Sequence, residues 1–147
     1  MSKKVGIGCD HAGFSLKKYI KENLIATGYE VVDYGVNNTD SVDYPDIIHP
    51  LANDVDKNKI ERAIIICGSG NGVAITANKY KNVRAALCWN SEIAKYARLH
   101  NDANIISLPA RFIRRHKAWK ILKKFLTTKF EGGRHQRRVD KIKNILS

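Results

Sequence analysis

Cysteines are few in this 147-residue chain, and they form no metal-binding pattern. The three cysteines, Cys9, Cys67 and Cys88, are widely spaced, and the sequence has no Cys-x-x-Cys pair and no Cys/His cluster. This spacing argues against a zinc site and favours free thiols in a reducing compartment. Cys9 and Cys88 fall within apolar, strand-like segments, so we expect both in the core.

Long apolar runs are missing as well. No segment approaches the roughly 20 apolar residues needed to span a bilayer, and the first residues do not form a signal-peptide pattern. Internal repeats and low-complexity segments are also absent. We therefore expect one cytoplasmic domain over residues 1–147 with no membrane partner. Within it, we expect an α/β core at 1–131 and a C-terminal helix at 132–147 that contacts a partner subunit.

Acidic residues are scarce in the last quarter of the chain. Residues 111–147 contain 13 Lys and Arg but only 2 Asp and Glu, whereas residues 1–110 contain 13 and 12, and the net charge is +12. Such a basic segment fits nucleic acid, an acidic partner, a phosphate-bearing small molecule or a solvated helix face. Its aromatic residues are spaced like a helix core stripe, so a nucleic-acid partner is the less favoured interpretation.

Strand and helix patterns alternate along the chain. Apolar runs predict five strands, at 5–9, 29–34, 63–67, 85–89 and 104–108. Helical patterns begin near residues 14, 45, 71, 91 and 111, and Gly132-Gly133 precedes a last helix predicted over roughly 134–146. This alternation predicts an α/β, doubly wound three-layer sandwich with a five-stranded parallel sheet, which is a Rossmann-like fold.

The third predicted strand ends at Cys67 and leads into a glycine-rich loop, Gly68-Ser69-Gly70-Asn71-Gly72. Glycines let a backbone approach a ligand closely, and the helix that follows the loop favours anions at its first turn. A cysteine here can also be a small core residue, but the loop favours a functional role. Because the loop matches neither G-x-x-x-x-G-K-[ST] nor G-x-G-x-x-G, we expect an anion hole for a small substrate rather than a nucleotide site.

Titratable and basic residues stand at three further positions. Asp10-His11 follows the first strand, although a strand-end aspartate is also a common helix N-cap. His100 precedes the fifth strand, where it can act as an acid or base near neutral pH or be structural. Arg134 and Arg138 are four residues apart on one helix face, which suits a phosphate. The remaining histidines, His49, His116 and His135, are expected at the surface.

Six segments of the sequence, in order, resemble the B-type ribose-5-phosphate isomerases. They are Gly8–Phe14, Asp43–Pro45, Cys67–Gly72, Ala77–Lys79, His100–Asn104 and Glu131–His135. The resemblance extends from residue 5 to the C-terminus. The wider family includes galactose-6-phosphate isomerase subunits and enzymes acting on allose 6-phosphate, so a hexose-6-phosphate isomerase is the alternative function, and a nucleic-acid-binding module is a less favoured one.

The resemblance implies that the chain interconverts D-ribose 5-phosphate and D-ribulose 5-phosphate through a cis-enediolate. It implies no metal and no cofactor, and a homodimer or dimer of dimers with the active site between subunits. The implied catalytic residues are Cys67 as the base, Ser69 in proton transfer between the sugar oxygens, His100 in ring opening and Asp10 beside it. The implied substrate ligands are the N–H groups of Gly68 to Gly72 for the enediolate, Asn101 and Tyr44 for the sugar, and His11, Arg111, Arg134 and Arg138 for the phosphate. Asn71 departs from the aliphatic residue of many relatives, which puts substrate preference in question.

Overall fold

A five-stranded, fully parallel sheet lies at the centre of the computed structural model, which describes residues 3–145. The strands are β1 (Lys4–Cys9), β2 (Glu30–Asp33), β3 (Arg62–Cys67), β4 (Ala85–Leu87) and β5 (Ile105–Pro109). Their order across the sheet is β2-β1-β3-β5-β4. The predicted α/β fold with five parallel strands is confirmed.

Helices cover both faces of the sheet. They are α1 (Phe14–Ala26), α2 (Tyr44–Asp56), α3 (Asn71–Ala77), α4 (Ser91–Leu99), α5 (Arg115–Thr127) and α6 (Arg134–Ile142). One buried cluster joins the sheet to α1, α4 and α5, and a second joins it to α2 and α3. Within residues 3–145, no helix is both long and apolar enough to cross a membrane.

The apolar run of β3 has a direct structural cause. Ile64 and Ile66 pack in the cluster with α1, α4 and α5, whereas Ile65 packs in the cluster with α2 and α3. Successive strand side chains point to opposite faces, and both faces of this sheet are covered, so residues 63–66 of β3 are all apolar and only Arg62, at the start of the strand, is charged. The strand therefore presents Cys67 at its end without an intervening polar residue.

Two predicted helix boundaries differ from the structure. Helix α5 begins at Arg115 rather than near Arg111, because the N–H of Ala110 donates to the Cys67 carbonyl at 2.9 Å and the N–H of Arg111 donates to the Gly68 carbonyl at 3.0 Å. These bonds tie the segment to the glycine loop, and residues 110–112 form a turn in which the N–H of Phe112 donates to the Pro109 carbonyl at 2.9 Å. Helix α6 ends at Ile142, whereas the prediction extended to Leu146, which lies outside the described residues.

Strand order places the most favourable ligand crevice between β1 and β3. The connection from β1 leads through α1 to β2 on one side, and the connection from β3 leads through α3 to β4 on the other. The helices α1 and α3 also lie on opposite faces of the sheet. In parallel α/β sheets, ligands bind beyond the carboxyl ends of strands at such a switch point.

Candidate active site

A pocket of about 590 Å³ opens beyond the carboxyl ends of β1 and β3. Eight of the residues singled out from the sequence line it: Asp10, His11, Tyr44, Cys67, Gly68, Ser69, Gly72 and Arg111. Ala12 and Phe112 complete the lining. The fold thus brings together residues from four separate segments, because each segment follows a strand end or begins a helix at the same edge of the sheet.

Cys67 is the last residue of β3 and has one hydrogen-bond donor directed at its sulfur. The side chain is 6% exposed and lines the pocket, and the N–H of Gly70 donates to Sγ at 3.2 Å. The other two thiols have different surroundings. Cys9 and Cys88 are fully buried in the core, as predicted, and burial raises the pKa of Cys9 to about 11 and that of Cys88 to about 12.

The glycine loop is held in place by a residue that the sequence analysis missed. Ser107 is fully buried in β5, and its Oγ donates to the Gly70 carbonyl at 2.6 Å. The same peptide group presents the N–H of Asn71, which donates to Ser69 Oγ at 3.2 Å. The sequence signal was a single hydroxyl in the otherwise apolar strand Ile-Ile-Ser-Leu-Pro, since a buried hydroxyl requires a hydrogen-bond partner.

Two glycines of the loop leave space for side chains of the pocket itself. A β-carbon at Gly72 would lie 2.5 Å from Cζ of Tyr44, and one at Gly68 would lie 3.1 Å from Cδ of Arg111. The loop sequence predicts close approach of a ligand at its glycines. In the structure, Tyr44 and Arg111 also approach the backbone closely at these two positions.

Asp10 and His11 form the turn that follows β1. Asp10 is buried, and its Oδ1 accepts hydrogen bonds from the N–H groups of Ala12 at 3.0 Å and Gly13 at 3.2 Å, so it caps the short 3-10 turn His11–Gly13. His11 Nδ1 accepts a long hydrogen bond of 3.5 Å from the N–H of Val42. With Nδ1 as the acceptor, a neutral ring carries its proton on Nε2.

Six of the candidate residues do not line this pocket: Gly70, Asn71, His100, Asn101, Arg134 and Arg138. His100 caps the C-terminus of α4, and Asn101 lies beside it, where it lines a separate cavity of about 900 Å³. Arg134 and Arg138 are exposed on α6, and within residues 3–145 neither forms an ion pair. Asn71 is also exposed, as the first residue of α3.

His135 is buried, so the expectation that it lies at the surface was wrong. Its side chain is 5% exposed because its ring stacks on the ring of His100, with centroids 4.2 Å apart and planes 14° from parallel. Burial lowers the pKa of His135, and the neighbouring His100 and Arg134 lower it further. The ring is therefore mainly neutral at pH 7.

Comparisons with known proteins agree on one family. The model of the family described as Ribose/Galactose Isomerase matches residues 5–142. A curated protein of Mycoplasma genitalium named "Probable ribose-5-phosphate isomerase B" is 46% identical over 144 residues, which cover 97% of this chain and 95% of that protein.

Solved structures of this kind superpose closely on the chain. A ribose 5-phosphate isomerase from Thermotoga maritima has a TM-score of 0.94 and 44% identity, with 97% of this chain and 98% of the other covered. A ribose-5-phosphate isomerase B from Mycoplasma genitalium with bound ribulose-5-phosphate has a TM-score of 0.91 and 45% identity, with 95% and 93% covered. The chain therefore belongs to the Ribose/Galactose Isomerase family.

Proposed function

We propose that this protein is an aldose-ketose isomerase that interconverts D-ribose 5-phosphate and D-ribulose 5-phosphate. The observation that carries the proposal is the pocket at the ends of β1 and β3, where a thiol, a glycine loop, a histidine and an arginine meet in a chain of this family. A similar structure from Mycoplasma genitalium contains ribulose-5-phosphate. The reaction moves protons within one molecule and leaves its overall oxidation state unchanged, so it requires no external oxidant or reductant.

Cys67 is assigned as the base. As a thiolate it takes the proton from C2 of the open-chain aldose and returns it to C1, while Ser69 moves the other proton between the two sugar oxygens. Negative charge develops on the enediolate, and one well-placed donor commonly supplies about 3–4 kcal/mol of transition-state stabilisation. Because the N–H groups of Gly70 and Asn71 are used inside the loop, we assign the anion hole to those of Gly68, Ser69 and Gly72.

Asp10, Tyr44, His11 and Arg111 complete the part of the site that one chain supplies. Tyr44 contacts the sugar, and His11 and Arg111 bind the phosphate, since a guanidinium suits bidentate binding of phosphate oxygens. Asp10 has its Oδ1 engaged by backbone donors, so it holds the turn that presents His11 and contacts the sugar hydroxyls with its second oxygen.

The remaining residues are assigned to a second copy of the chain in a homodimer or a dimer of dimers. His100, Asn101, Arg134 and Arg138 lie outside the pocket of their own chain, and the two arginines have no ion-pair partner within residues 3–145. A partner that places these residues over the Cys67 pocket adds the ring-opening histidine and a second phosphate clamp. A monomer would lack a complete site.

Cys67→Ala tests the base directly. The variant should lose isomerase activity by about 10²–10⁴-fold, the usual contribution of a positioned acid or base, while its circular dichroism spectrum stays unchanged. Cys88→Ala is the matched control and should retain activity, because that thiol lies in the core. Activity should be compared for ribose, allose and galactose phosphates. Near wild-type activity in Cys67→Ala contradicts the assignment of the base, and a higher kcat/KM for a hexose phosphate contradicts the substrate.

Complementation between variants tests the shared site. Cys67→Ala and His100→Ala should each be inactive, but a mixed dimer of the two contains one site with both wild-type residues. After subunit exchange at equal concentrations, about a quarter of the wild-type activity should return. If both residues serve the same site from one chain, the mixture stays inactive.

A further inference from the structure

A group of three potential metal ligands lies outside the Cys67 pocket. It consists of His100 at the end of α4, Glu131 in the segment between α5 and α6, and His135 in the first turn of α6. One ligand atom from each lies within 4.8 Å of the others, and His100 Nε2 is 3.9 Å from Glu131 Oε2. Among residues 3–145, it is the one group of histidines, cysteines and carboxylates that meets this spacing.

The backbone holds the three side chains close to one another. The N–H of Glu131 donates to the Leu99 carbonyl at 3.1 Å, which fixes the segment before α6 to the end of α4. The rings of His100 and His135 are stacked face to face, so the lone pairs of their nitrogens lie in nearly parallel planes and one ring must turn before both can bind the same ion. A tetrahedral zinc ion with bonds near 2.1 Å needs ligand atoms about 3.4 Å apart, so zinc binding requires side-chain rotations of His100 and Glu131.

His135 supplies the independent indication of a ligand. Its side chain is only 5% exposed, and its ring nitrogens have no hydrogen-bond partner within residues 3–145. Of the described residues, only Arg62 has a buried side-chain nitrogen or oxygen without a partner, so the ring nitrogens of His135 keep some contact with solvent. They are therefore free to bind an ion that lies between His135 and the half-exposed His100.

We propose that His100, Glu131 and His135 form a binding site for Zn²⁺. Two imidazoles and one carboxylate are ligands that zinc prefers, whereas Mg²⁺ and Ca²⁺ prefer sites made only of oxygen atoms. Three protein ligands leave a fourth position for water. Arg134 and Arg138 on the same helix repel a dication, and Glu131 offsets part of this repulsion, so we expect weaker binding than at a structural zinc site with four protein ligands.

Zinc bound here would act as an inhibitor, and this part of the inference rests on the proposed function. His100 is the residue assigned to ring opening, and a histidine nitrogen that ligates a metal ion no longer donates or accepts a proton. The isomerase would then lose activity as zinc occupies the site. Binding itself does not depend on that assignment.

Isothermal titration with ZnCl₂ measures binding without reference to activity. The wild-type protein should bind one Zn²⁺ per chain, and Glu131→Gln, an exposed and nearly isosteric change, should weaken binding by at least about tenfold, which corresponds to about 1.4 kcal/mol. His135→Gln should do the same, with circular dichroism as the check that the buried site still folds. Cys67→Ala is the control for zinc bound by the thiol and should bind as the wild type does. If zinc binding is lost in Cys67→Ala but kept in Glu131→Gln, the ion binds at the thiol, and the proposed site at His100, Glu131 and His135 is wrong.

Activity measured in the same titration tests the inhibition. Zinc should inhibit the wild-type isomerase in proportion to occupancy, EDTA should restore activity, and Glu131→Gln should keep its basal activity and need at least about tenfold more zinc for half inhibition. Stoichiometric binding without inhibition overturns the inhibitory role while the site stands. A protein that binds zinc but isomerises no sugar phosphate contradicts the proposed function and leaves the site intact.

Discussion

Gly70→Ala should destabilise the protein through two separable effects. Gly70 has a φ of +78°, where a β-carbon in the left-handed region costs about 1–2 kcal/mol. The new methyl group would also lie 2.5 Å from Cδ1 of Leu87 and 3.1 Å from Oγ of Ser107. Forcing apart a packed interior costs about 1–3 kcal/mol more. The free energy of unfolding should therefore fall by about 2–5 kcal/mol.

Gly28→Ala is the matched control because it shares the first effect but not the second. Gly28 has a φ of +93°, and a β-carbon there would meet no heavy atom within 4 Å. Its substitution should cost only about 1–2 kcal/mol. Urea denaturation measures the free energy of unfolding of both variants. If their m-values are equal, the difference between the two losses of stability is the cost of the steric clash at Gly70.

Activity separates the same two variants. The N–H of Gly70 donates to the Cys67 sulfur, so a shift of residue 70 in Gly70→Ala should lower kcat even under conditions in which the variant is fully folded. Gly28→Ala should retain wild-type kcat, since it lies in the turn after α1. Equal stability and equal kcat in the two alanine variants would refute the argument that the loop conformation is set by contacts beneath Gly70.

Two further predictions concern ionisable side chains. Burial acts to raise the pKa of Asp33, but hydrogen bonds led by that from the buried Lys17 outweigh it and lower the pKa. The pair therefore stabilises the fold at pH values above 3.8, the ordinary pKa of the carboxyl group, and this stabilisation is lost as the pH falls through the lowered pKa. Lys17→Met should lower the free energy of unfolding by about 1–3 kcal/mol at pH 7. The variant should also lose less stability than the wild type when the pH is lowered. Iodoacetamide should modify Cys67 before the other two cysteines of the folded protein, because burial raises the pKa of Cys9 to about 11 and that of Cys88 to about 12. Peptide mass spectrometry measures the three rates, and faster modification of Cys9 or Cys88 than of Cys67 would contradict this prediction.

The strands and the first half of the site could be predicted from the sequence because the signals were local. An apolar run such as Ala63–Ile66 followed by glycines indicates a buried strand and its end without knowledge of the rest of the chain. Parallel strands then bring their carboxyl ends to one edge. Asp10, His11 and the Cys67 loop are thereby expected at one edge of the sheet, where the structure has them, whereas His100, expected at the same edge, lies outside the pocket of its own chain.

The features that could not be predicted depend on contacts between distant segments. The delayed start of α5 follows from hydrogen bonds between Arg111 and the glycine loop, which no helical pattern near residue 111 encodes. The role of Ser107 needs the pairing of β5 beside β3. The burial of His135 needs the stacking on His100, 35 positions earlier in the chain.

The contacts at Gly68 and Gly72 constrain how this sequence can change. A larger residue at 72 displaces the Tyr44 ring, and one at 68 displaces the Arg111 side chain, so each glycine position is tied to one distant side chain. A single substitution at 72 should abolish activity unless a smaller residue stands at 44, whereas a substitution at 68 requires the Arg111 side chain to move by only a few tenths of an ångström. Positions 72 and 44, and positions 68 and 111, are thus coupled pairs in the pocket wall. The shape of the pocket can be redesigned only by changing both members of a pair.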